Sequence, residues 1–581
     1  MRQGRRSGGS CSSHAAASAA WLQAYARARS ASGRLAVTGC QAQSRHQRDD
    51  MNSLHSSGFI RPLKRQREVL YLPVTGHSVV QGVAGSGKTT MALLRAQFMT
   101  EPGLEHSGRT LILTYNKSLC SSIEGYIRQQ GLSVPGRHGV TAANYHRLIV
   151  ADLCRLKGKR SFNYPSAKDG DELISKAVAE VMAENSEVSL FRRPLEFFKD
   201  EIEWILRMGI SSVDEYVEAE RIGRGRHVLL RAQRPYMYQV MESYLKLLRK
   251  SGFDYDWNLV VVDWCRELEA GKISFPYRHV IIDEGQDLPL CLIRALGSAC
   301  GGLGITEAVS YEDGDVKIDA DDDSYDLDDS DPADSTDADS NSHYSAQSNK
   351  KPGSLTFFVD EAQQIYGPRI SWKKAGLNIK KVWRLTENYR NTAEIFNLAR
   401  TLAESYEDED SPDKNLSDSS TPHGHGQKPF LYKCSRLDSR MNMLRDITDR
   451  FNTRKQRIGI LVSTRKQMYE VKNSIFGSQT IANGGNDKMT PDNPGIYVST
   501  IHSAKGLEFD VVVLPYMDAG FFSDPHTVTE DDKYAFSRMI KEYKTLYVAV
   551  TRAREELHIM FVDDLTAMMP DDQSLYQEGS V

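Results

Sequence analysis

Short apolar runs alternate along this chain with longer stretches in which apolar residues recur every three or four positions. The runs have the continuous apolar character of strands buried on both faces of a parallel sheet. They are HSVVQGV, RTLILTYN, HGVTAAN, RHVIIDEGQD, SLTFFVDEAQQIY, RIGILVST, GIYVSTIH, DVVVLP and ELHIMFV. The intervening stretches, such as LISKAVAEVMAE and PYMYQVMESYLKLLRKSG, have the spacing of amphipathic helices. The pattern predicts an α/β protein.

The length of 581 residues predicts more than one domain, since one hydrophobic core serves roughly 100–200 residues. Shifts in the pattern divide the chain into an N-terminal extension, a first α/β lobe, a second α/β lobe and a tail. The predicted bounds are 1–50 for the extension, 51–380 for the first lobe, 381–567 for the second lobe and 568–581 for the tail. Within the first lobe we expect a helical insertion at 150–270 and an acidic loop at 305–352.

The net charge of −4 hides two segments of opposite sign. Residues 1–48 contain eight arginines and no lysine, aspartate or glutamate, whereas residues 307–339 contain fifteen acidic residues and the single Lys317. The remainder is near neutral, so nucleic-acid binding would require a local basic groove. The N-terminal composition is typical of an organelle transit peptide, and the alternative is an overextended reading frame whose start is Met51.

The acidic segment predicts a solvated, disordered loop, because it is highly charged and poor in apolar residues. A calcium site is a sharper interpretation, but the glycine and closing glutamate of an EF-hand loop are missing. A further hypothesis is that the segment mimics nucleic acid and competes for the binding groove.

Two other features concern the compartment. No stretch approaches the roughly 20 consecutive apolar residues of a membrane span, which predicts no membrane partner. The eight cysteines lack a CxxC pair or a histidine at metal-ligand spacing. We therefore expect a reduced, cytoplasmic protein without a zinc site, with organelle targeting as the alternative.

The first motif with chemistry is GVAGSGKT, which follows an apolar run and precedes a helix-like stretch, as in a phosphate-binding P-loop. Glycines let backbone N–H groups surround phosphate oxygens, while Lys88 reaches the β- and γ-phosphates and Thr89 offers a hydroxyl to Mg²⁺. The predicted nucleotide-binding residues here are Gly82, Val83, Ala84, Gly85, Ser86, Gly87, Lys88, Thr89 and Thr90.

The second motif is HVIIDEGQD, an apolar strand that ends in two adjacent carboxylates. Asp283 is suited to bind Mg²⁺ together with Thr89, and Glu284 is suited to activate water for phosphoryl transfer. A carboxylate pair at a strand end is by itself usually a turn, but its occurrence with a P-loop favours an ATP hydrolase.

The motif DEGQD resembles motif II of superfamily 1 helicases of the UvrD/Rep-like group, and further motifs follow in that family's order over most of residues 61–560. The resemblance implies two RecA-like P-loop NTPase lobes that bind ATP and Mg²⁺ in the cleft between them. On the nucleotide side it implies roles for Gln66 at the adenine, Gln363 and Arg390 at the γ-phosphate, Glu508 at the ribose and Arg552 as an arginine finger. On the nucleic-acid side it implies contacts by Tyr115, Asn116, Tyr145, His146, Tyr366, Thr500 and His502.

Each of these small motifs also has a structural interpretation: Tyr115, Tyr145 and Tyr366 are alternatively core aromatics, and any single arginine is alternatively a surface ion pair. Their order along the chain favours the functional interpretation. The strand RIGILVST ends near Ser463 and the next motif begins at Val498, which leaves about 35 residues where UvrD-like enzymes place a large 2B subdomain, so we expect a compact form without it.

The resemblance implies an ATP-dependent 3′→5′ helicase or translocase on single-stranded DNA, active in repair or recombination, with duplex junctions as further substrates. Without a 2B subdomain, translocation is expected rather than processive unwinding. One alternative is an RNA-directed motor, because phosphate and stacking contacts do not separate RNA from DNA. Another is a nucleotide-gated sensor subunit with protein partners in a repair or defence complex.

Overall fold

The computed structural model describes the chain over most of its length. The described residues are 62–132, 139–221, 229–300, 352–360, 372, 375–405, 422, 424–451, 453–481, 493–529 and 532–579. The chain divides into two units, Met1–Leu72 and Pro73–Val581. In the first unit the described residues form one short helix, α1 (Gln66–Leu70), in which the backbone N–H of Leu63 donates to Oε1 of Gln66 at 2.9 Å.

The second unit begins with a six-stranded sheet in which every pairing is parallel. Its strands are β1 (Gly76–Gly82), β2 (Thr110–Thr114), β3 (Val140–Asn144), β4 (His279–Asp283), β5 (Ser354–Val359) and β6 (Val382–Leu385). The spatial order is β3-β2-β4-β5-β1-β6. Strands β2, β4 and β5 are buried along their whole length, which explains their unbroken apolar sequences.

Three helices follow the first three strands of this sheet, α2 (Lys88–Met99), α3 (Lys117–Gln129) and α4 (Tyr145–Lys157). Asparagine side chains cap two of them: Asn116 accepts from the N–H of Ser118, and Asn144 accepts from the N–H of Arg147. A further helix, α10 (Leu290–Ala299), lies between β4 and β5.

The stretch predicted as a helical insertion is helical. It contains α5 (Ala167–Glu184), α6 (Leu195–Met208), α7 (Val213–Glu218), α8 (Arg234–Lys250) and α9 (Leu259–Glu269), with 3₁₀ turns at Ser189–Arg192 and Arg231–Gln233. These helices share their own hydrophobic core, in which Phe197, Trp204 and Met241 are buried. Met208, Leu259 and Val262 pack against both this core and the core of the first sheet. The hydrophobic core of the insertion is therefore in contact with the core of the first lobe.

A second sheet has seven strands, again with every pairing parallel. They are β7 (Phe430–Cys434), β8 (Arg457–Val462), β9 (Gln479–Ile481), β10 (Gly495–Thr500), β11 (Phe509–Leu514), β12 (Ala553–Val562) and β13 (Gln577–Glu578), in the order β13-β7-β12-β11-β8-β10-β9. Its helices are α11 (Ala393–Glu404), α12 (Leu437–Asp449), α13 (Arg465–Ser474) and α14 (Lys533–Thr551). The fold class predicted from the sequence, two parallel-sheet α/β lobes of the RecA-like kind, is confirmed.

Strand β6 lies beyond residue 380, where we expected the second lobe to begin, yet it pairs with β1 in the first sheet. The chain then crosses to the second lobe through residues 386–392. There the side chain of Asn391 donates to the backbone oxygen of Thr551 at 3.3 Å and also to that of Ala553. The crossing segment is thus attached to the second lobe close to Arg552.

The described part of the first lobe stops at Cys300 and resumes at Pro352. The N–H of Gly353 donates to the backbone oxygen of Cys300 at 3.1 Å, so the two ends meet. A Cβ atom at residue 353 would lie 2.0 Å from the backbone oxygen of Arg278, and only glycine fits this approach. The predicted acidic loop falls between these ends and outside the described residues.

No helix in the described part of the chain is both long enough and apolar enough to span a membrane.

Candidate functional site

The phosphate-binding loop predicted from GVAGSGKT joins β1 to α2. Gly85 and Gly87 have φ values of 75° and 82°, in the left-handed region that favours glycine. A Cβ atom at Gly85 would lie 2.2 Å from Oδ1 of Asn388, and one at Gly82 would lie 2.4 Å from Oγ of Ser86. The loop therefore depends on its glycines, and it places the N-terminus of α2, with Thr90 in its first turn, beside the loop's own N–H groups.

Lys88 lies at the start of α2 and is almost fully buried. Its Nζ donates to the backbone oxygens of Gly82 at 2.9 Å and Val83 at 3.0 Å, and it forms a 3.0 Å ion pair with Asp360. Asp360 follows β5, the strand next to β1, and its own N–H donates to the side chain of Gln286 at 3.1 Å. The sequence interpretation gave Asp360 no role, although the carboxyl ends of neighbouring parallel strands meet at one edge.

Asp283 ends β4 and is fully buried. The hydroxyl of Thr89 donates to Oδ2 of Asp283 at 2.6 Å, and the N–H of Glu284 donates to Oδ1 at 3.1 Å. Burial and the adjacent charge of Glu284 raise the pKa of Asp283, and a bound cation would oppose both effects. A hydroxyl and a carboxylate are hard oxygen donors, so the pair fits Mg²⁺, which typically takes one or two carboxylates and completes its shell with water and phosphate.

Glu284 has a left-handed backbone conformation, with φ 57° and ψ 40°, which is uncommon for a residue with a side chain. Its carboxylate accepts from Nε2 of Gln286 at 2.5 Å and lies 3.8 Å from Nζ of Lys505. Burial alone would raise the pKa of Glu284, but the charges of Lys505, Lys88 and Arg552 outweigh it and hold the pKa below the ordinary value. Glu284 is therefore ionised and can accept a proton or orient water.

Asp287 closes the 3₁₀ turn Gly285–Asp287 that begins after Glu284, and it is fully buried. Its carboxylate pairs with Nζ of Lys505, which comes from the second lobe. Burial raises the pKa of Asp287 to about 6 despite this pair. The backbone oxygen of Lys505 accepts from the side chain of Asn116 at 2.8 Å, so the loop after β10 is fastened to the first lobe at two points.

Arg390 lies on the crossing segment, next to the phosphate-binding loop, since the N–H of Tyr389 donates to the backbone oxygen of Gly85 at 2.9 Å. Its guanidinium forms a 2.5 Å ion pair with Glu508, a second-lobe residue. Burial would raise the pKa of Glu508, but Arg390 and three further arginines (Arg554, Arg457 and Arg552) lower it to about 2. The two residues predicted to bind γ-phosphate and ribose thus contact each other.

Arg552 follows α14 and is fully buried. Its Nε donates to the backbone oxygen of Val548 at 3.1 Å, and its Nη1 donates to that of Leu507 at 3.2 Å. Burial, and after it the nearby charge of Arg390, lowers the pKa of Arg552 to about 10. The ion-paired residues Lys88, Asp360, Arg390, Glu508, Asp287, Lys505 and Glu284, together with Asp283 and Arg552, are hereafter called the charged cluster.

The predicted nucleic-acid residues of the first lobe lie in an aromatic cluster formed by Tyr115, Tyr145, His146, Tyr164 and Trp257. The ring of Tyr145 lies 5.5 Å from that of Tyr115 and 4.0 Å from that of His146, and only 2% of Tyr145 is exposed. Nε2 of His146 lies 3.1 Å from the backbone oxygen of Trp257. With so little surface exposed, Tyr145 offers no ring face to a base, and the structure favours the core-aromatic alternative for it.

The other predicted nucleic-acid residues differ in their setting. Asn116 is buried at the cap of α3, whereas Thr500 and His502 are partly exposed at the carboxyl end of β10. The hydroxyl of Thr500 donates to Oγ of Ser503 at 3.0 Å. Burial and the charges of Lys541 and Lys505 lower the pKa of His502 to about 4, so its ring is neutral near pH 7.

Three further predicted site residues lie outside the described part of the second unit. Gln363 and Tyr366 lie outside the described residues. Gln66 lies on α1 in the N-terminal unit, where it is buried. Their roles stay predictions.

These features define an α/β protein whose two parallel-sheet lobes meet at a glycine-rich phosphate-binding loop and a buried cluster of charges. Residues 474–564 match the family model of the UvrD-like helicase C-terminal domain. A 64-residue stretch is 39% identical to DNA helicase II of Rickettsia typhi and covers 11% of this chain and 9% of that protein. A 73-residue stretch is 38% identical to the ATP-dependent DNA helicase PcrA of Staphylococcus aureus and covers 13% of this chain and 10% of that protein. These matches confirm the resemblance to UvrD/Rep-like superfamily 1 helicases.

The chain spans about a tenth of the length of these curated relatives. Among solved structures, it is similar to the C-terminal domain of a possible DNA helicase from Lactobacillus plantarum, at 17% identity and a TM-score of 0.23, over 33% of this chain and 99% of that one.

Proposed function

We propose that this chain is an ATP-driven motor that moves 3′→5′ on single-stranded DNA, as a helicase or translocase in DNA repair or recombination. The observation that carries the proposal is the charged cluster. It places a P-loop lysine, a hydroxyl–carboxylate pair suited to Mg²⁺ and an ionised glutamate on the first lobe, within reach of arginines from the crossing segment and second lobe. The matches to DNA helicases support the assignment to this class of motor.

On this proposal the residues of the first lobe bind the nucleotide and activate the attacking water. Lys88 and the loop's N–H groups bind the phosphates of ATP, and Thr89 and Asp283 would hold Mg²⁺, which would neutralise charge on those phosphates. Glu284 accepts a proton from the attacking water. Its low pKa keeps it ionised, and its fixed backbone directs the carboxylate.

The residues of the second lobe and the crossing segment stabilise the transferred phosphoryl group. Arg390 and Arg552 carry positive charge beside the phosphate-binding loop, where charge on the γ-phosphate oxygens develops. Glu508 then contacts the ribose, and Gln66 and Gln363 contact the adenine and the γ-phosphate. Because Arg552 comes from the second lobe and Lys88 from the first, ATP draws the lobes together and hydrolysis releases them.

Single-stranded nucleic acid is proposed to run over the carboxyl ends of both sheets, where Thr500, His502 and the partly exposed Tyr115 lie. His502 is neutral, so it contributes stacking or a hydrogen bond rather than charge. The burial of Tyr145 and Asn116 leaves fewer nucleic-acid contacts in the first lobe than the resemblance implies.

The test is ATP hydrolysis by the full chain with poly-dT, with poly-U and without nucleic acid. We expect poly-dT to stimulate hydrolysis strongly, and Glu284→Gln to lower the stimulated rate by about 100-fold or more. The matched control is Glu187→Gln, which changes an exposed glutamate outside the site and should leave the rate unchanged.

Each alternative has its own outcome. Stimulation by poly-U alone would establish an RNA-directed motor. Hydrolysis that neither polymer changes would contradict a translocase and favour the nucleotide-gated subunit of a repair or defence complex. Polarity is read separately, from displacement of a protein block at the 5′ or 3′ end of a single strand.

A further inference from the structure

Arg207 lies at the last turn of α6, where the helical insertion meets the first lobe. The helix ends at Gly209, whose φ of 72° gives the left-handed cap common at helix ends. Arg207 is buried, with 5% of its surface exposed, and its Nη2 donates to the backbone oxygen of Asp287 at 2.6 Å. A buried arginine from outside the sequence motifs thus contacts the turn that follows Glu284.

The turn Gly285–Asp287 is held at both ends. At its start, Glu284 has a left-handed backbone conformation, which persists in proteins where surrounding contacts enforce it. At its end, Arg207 binds the backbone oxygen of Asp287 while Lys505 of the second lobe binds the side chain. The carboxylate of Glu284 is therefore positioned by a turn whose far end is fixed by the insertion and by the second lobe.

The insertion can transmit a displacement to this turn because it is closely packed against the first lobe there. A Cβ atom at Gly209 would lie 2.7 Å from Cβ of Cys291, and Sγ of Cys291 lies 3.7 Å from the backbone oxygen of Leu206, so α6 and α10 are in direct contact. Met208, the neighbour of Arg207, packs against the cores of both the insertion and the first sheet. Close-packed interfaces of this kind shift as units rather than deform.

We propose that Arg207 is a positioning residue through which the helical insertion holds Glu284 in the conformation that supports ATP hydrolysis. The proposal rests on the proposed function, in which Glu284 activates water. Arg207 contacts no reacting atom; it acts through the backbone of Asp287. A lysine in its place keeps the charge but lacks the planar set of donors that reaches this carbonyl, so the two residues are not interchangeable.

The test compares Arg207→Met and Arg207→Lys with the wild-type chain in steady-state ATP hydrolysis with poly-dT. We expect Arg207→Met to lower kcat about tenfold while the KM for ATP stays within about twofold, because the phosphate-binding loop is untouched. Arg207→Lys should recover part of the lost kcat. The matched control is Glu203→Gln, which removes the partly exposed partner 3.8 Å from Arg207 and should leave kcat unchanged.

Hydrogen exchange gives a readout that does not depend on hydrolysis. Backbone amides of residues 284–288 should exchange faster in Arg207→Lys than in the wild type, whereas amides of residues 82–90 should not change. Unchanged kcat in a folded Arg207→Met chain, or equal exchange at 284–288, would overturn the proposal. If Arg207→Met does not fold, Arg207→Lys decides by the same two measurements. A wild-type chain that poly-dT does not stimulate would contradict the motor but leave the exchange comparison intact.

Discussion

The charged cluster draws residues from both lobes and from the crossing segment, whereas the aromatic cluster lies within the first lobe, and their side chains are held in different ways. Lys88, Arg390 and Lys505 each form an ion pair with a carboxylate that comes from another part of the chain. Tyr145 and its neighbours are instead packed ring against ring within the core. The difference teaches that the first region is suited to bind and release a charged ligand, whereas the second is suited to hold the lobe together.

Removing one partner of the fully buried pair should have the largest effect on stability. Lys505→Met removes the ammonium group that pairs with the buried Asp287 carboxylate, and we expect a loss of about 3–5 kcal/mol in the free energy of unfolding, measured by urea titration. Adding Asp287→Asn to Lys505→Met should recover part of this loss, because an amide needs no counter-charge in the interior. Equal stability of Lys505→Met and the wild type would show that the pair is solvated. The contrast between the charged cluster and the aromatic cluster would then fail.

Tyr145 should prove to be a packing residue. Tyr145→Ala opens a cavity in the aromatic cluster and is expected to cost about 3–4 kcal/mol of stability, whereas Tyr145→Phe keeps the ring and should change little. By contrast, His502→Ala should leave unfolding nearly unchanged and weaken the binding of a fluorescent dT oligonucleotide by about 1–3 kcal/mol. A large loss of affinity for the oligonucleotide in a folded Tyr145→Leu chain would instead assign this residue to nucleic-acid binding.

The aromatic cluster should also make stability depend on pH. Burial, together with the charges of Arg207 and Lys117, lowers the pKa of His146 to about 4 even though its bond to Trp257 acts the other way. The folded chain therefore binds this proton less readily than the unfolded chain, and the associated stability is present above about pH 6.5 and lost as the pH falls towards 4. Between pH 7 and pH 4.5, His146→Gln should lose about 1–2 kcal/mol less than the wild type, measured by urea titration at each pH. Equal losses would assign the acid sensitivity to other groups.

The smallest effect on stability is expected at the partly exposed pair of the charged cluster. Arg390→Ala removes the ion pair with Glu508, whose side chain is 36% exposed, so the free energy of unfolding should change by less than about 1 kcal/mol. Hydrolysis of ATP should nevertheless fall by about 100-fold or more, since a charge aimed at the transferred phosphoryl group is lost. Arg400→Ala, a helix-surface arginine paired with Glu404, is the matched control and should affect neither quantity. A stable Arg390→Ala chain with full activity would remove Arg390 from the site.

Much of the fold could be predicted because strands buried on both faces of a parallel sheet have unbroken apolar sequences. Each of the nine runs singled out in the sequence contains a strand. Strand β6 was missed because VWRL is short and only partly buried, and no local pattern tells which sheet a strand joins. Strand β13 has two residues, too few to show any periodicity.

The site was predictable where a motif fixes the backbone, as at Lys88, Thr89 and Asp283, which the structure brings together. Asp360, Asp287 and Lys505 were given no role, since long-range pairs arise from tertiary contact rather than from spacing. One signal was available for Asp360: it follows an apolar strand run as Asp283 does, and such positions meet at one edge of a parallel sheet. Arg207 gave no signal at all, because an arginine in the last turn of an amphipathic helix is ordinary.

The hydrogen bond between Gly353 and Cys300 makes the first lobe a convenient place for protein engineering. Because the two chain ends are already joined there, residues 301–351 can be exchanged for a short Gly–Ser link without moving either β5 or α10, and the entropy cost of closing such a loop depends only weakly on its length. The same position can receive a folded reporter, such as a fluorescent domain whose own termini lie close together. A chain labelled in this way would test the proposed translocation directly, by following single molecules on a tethered strand.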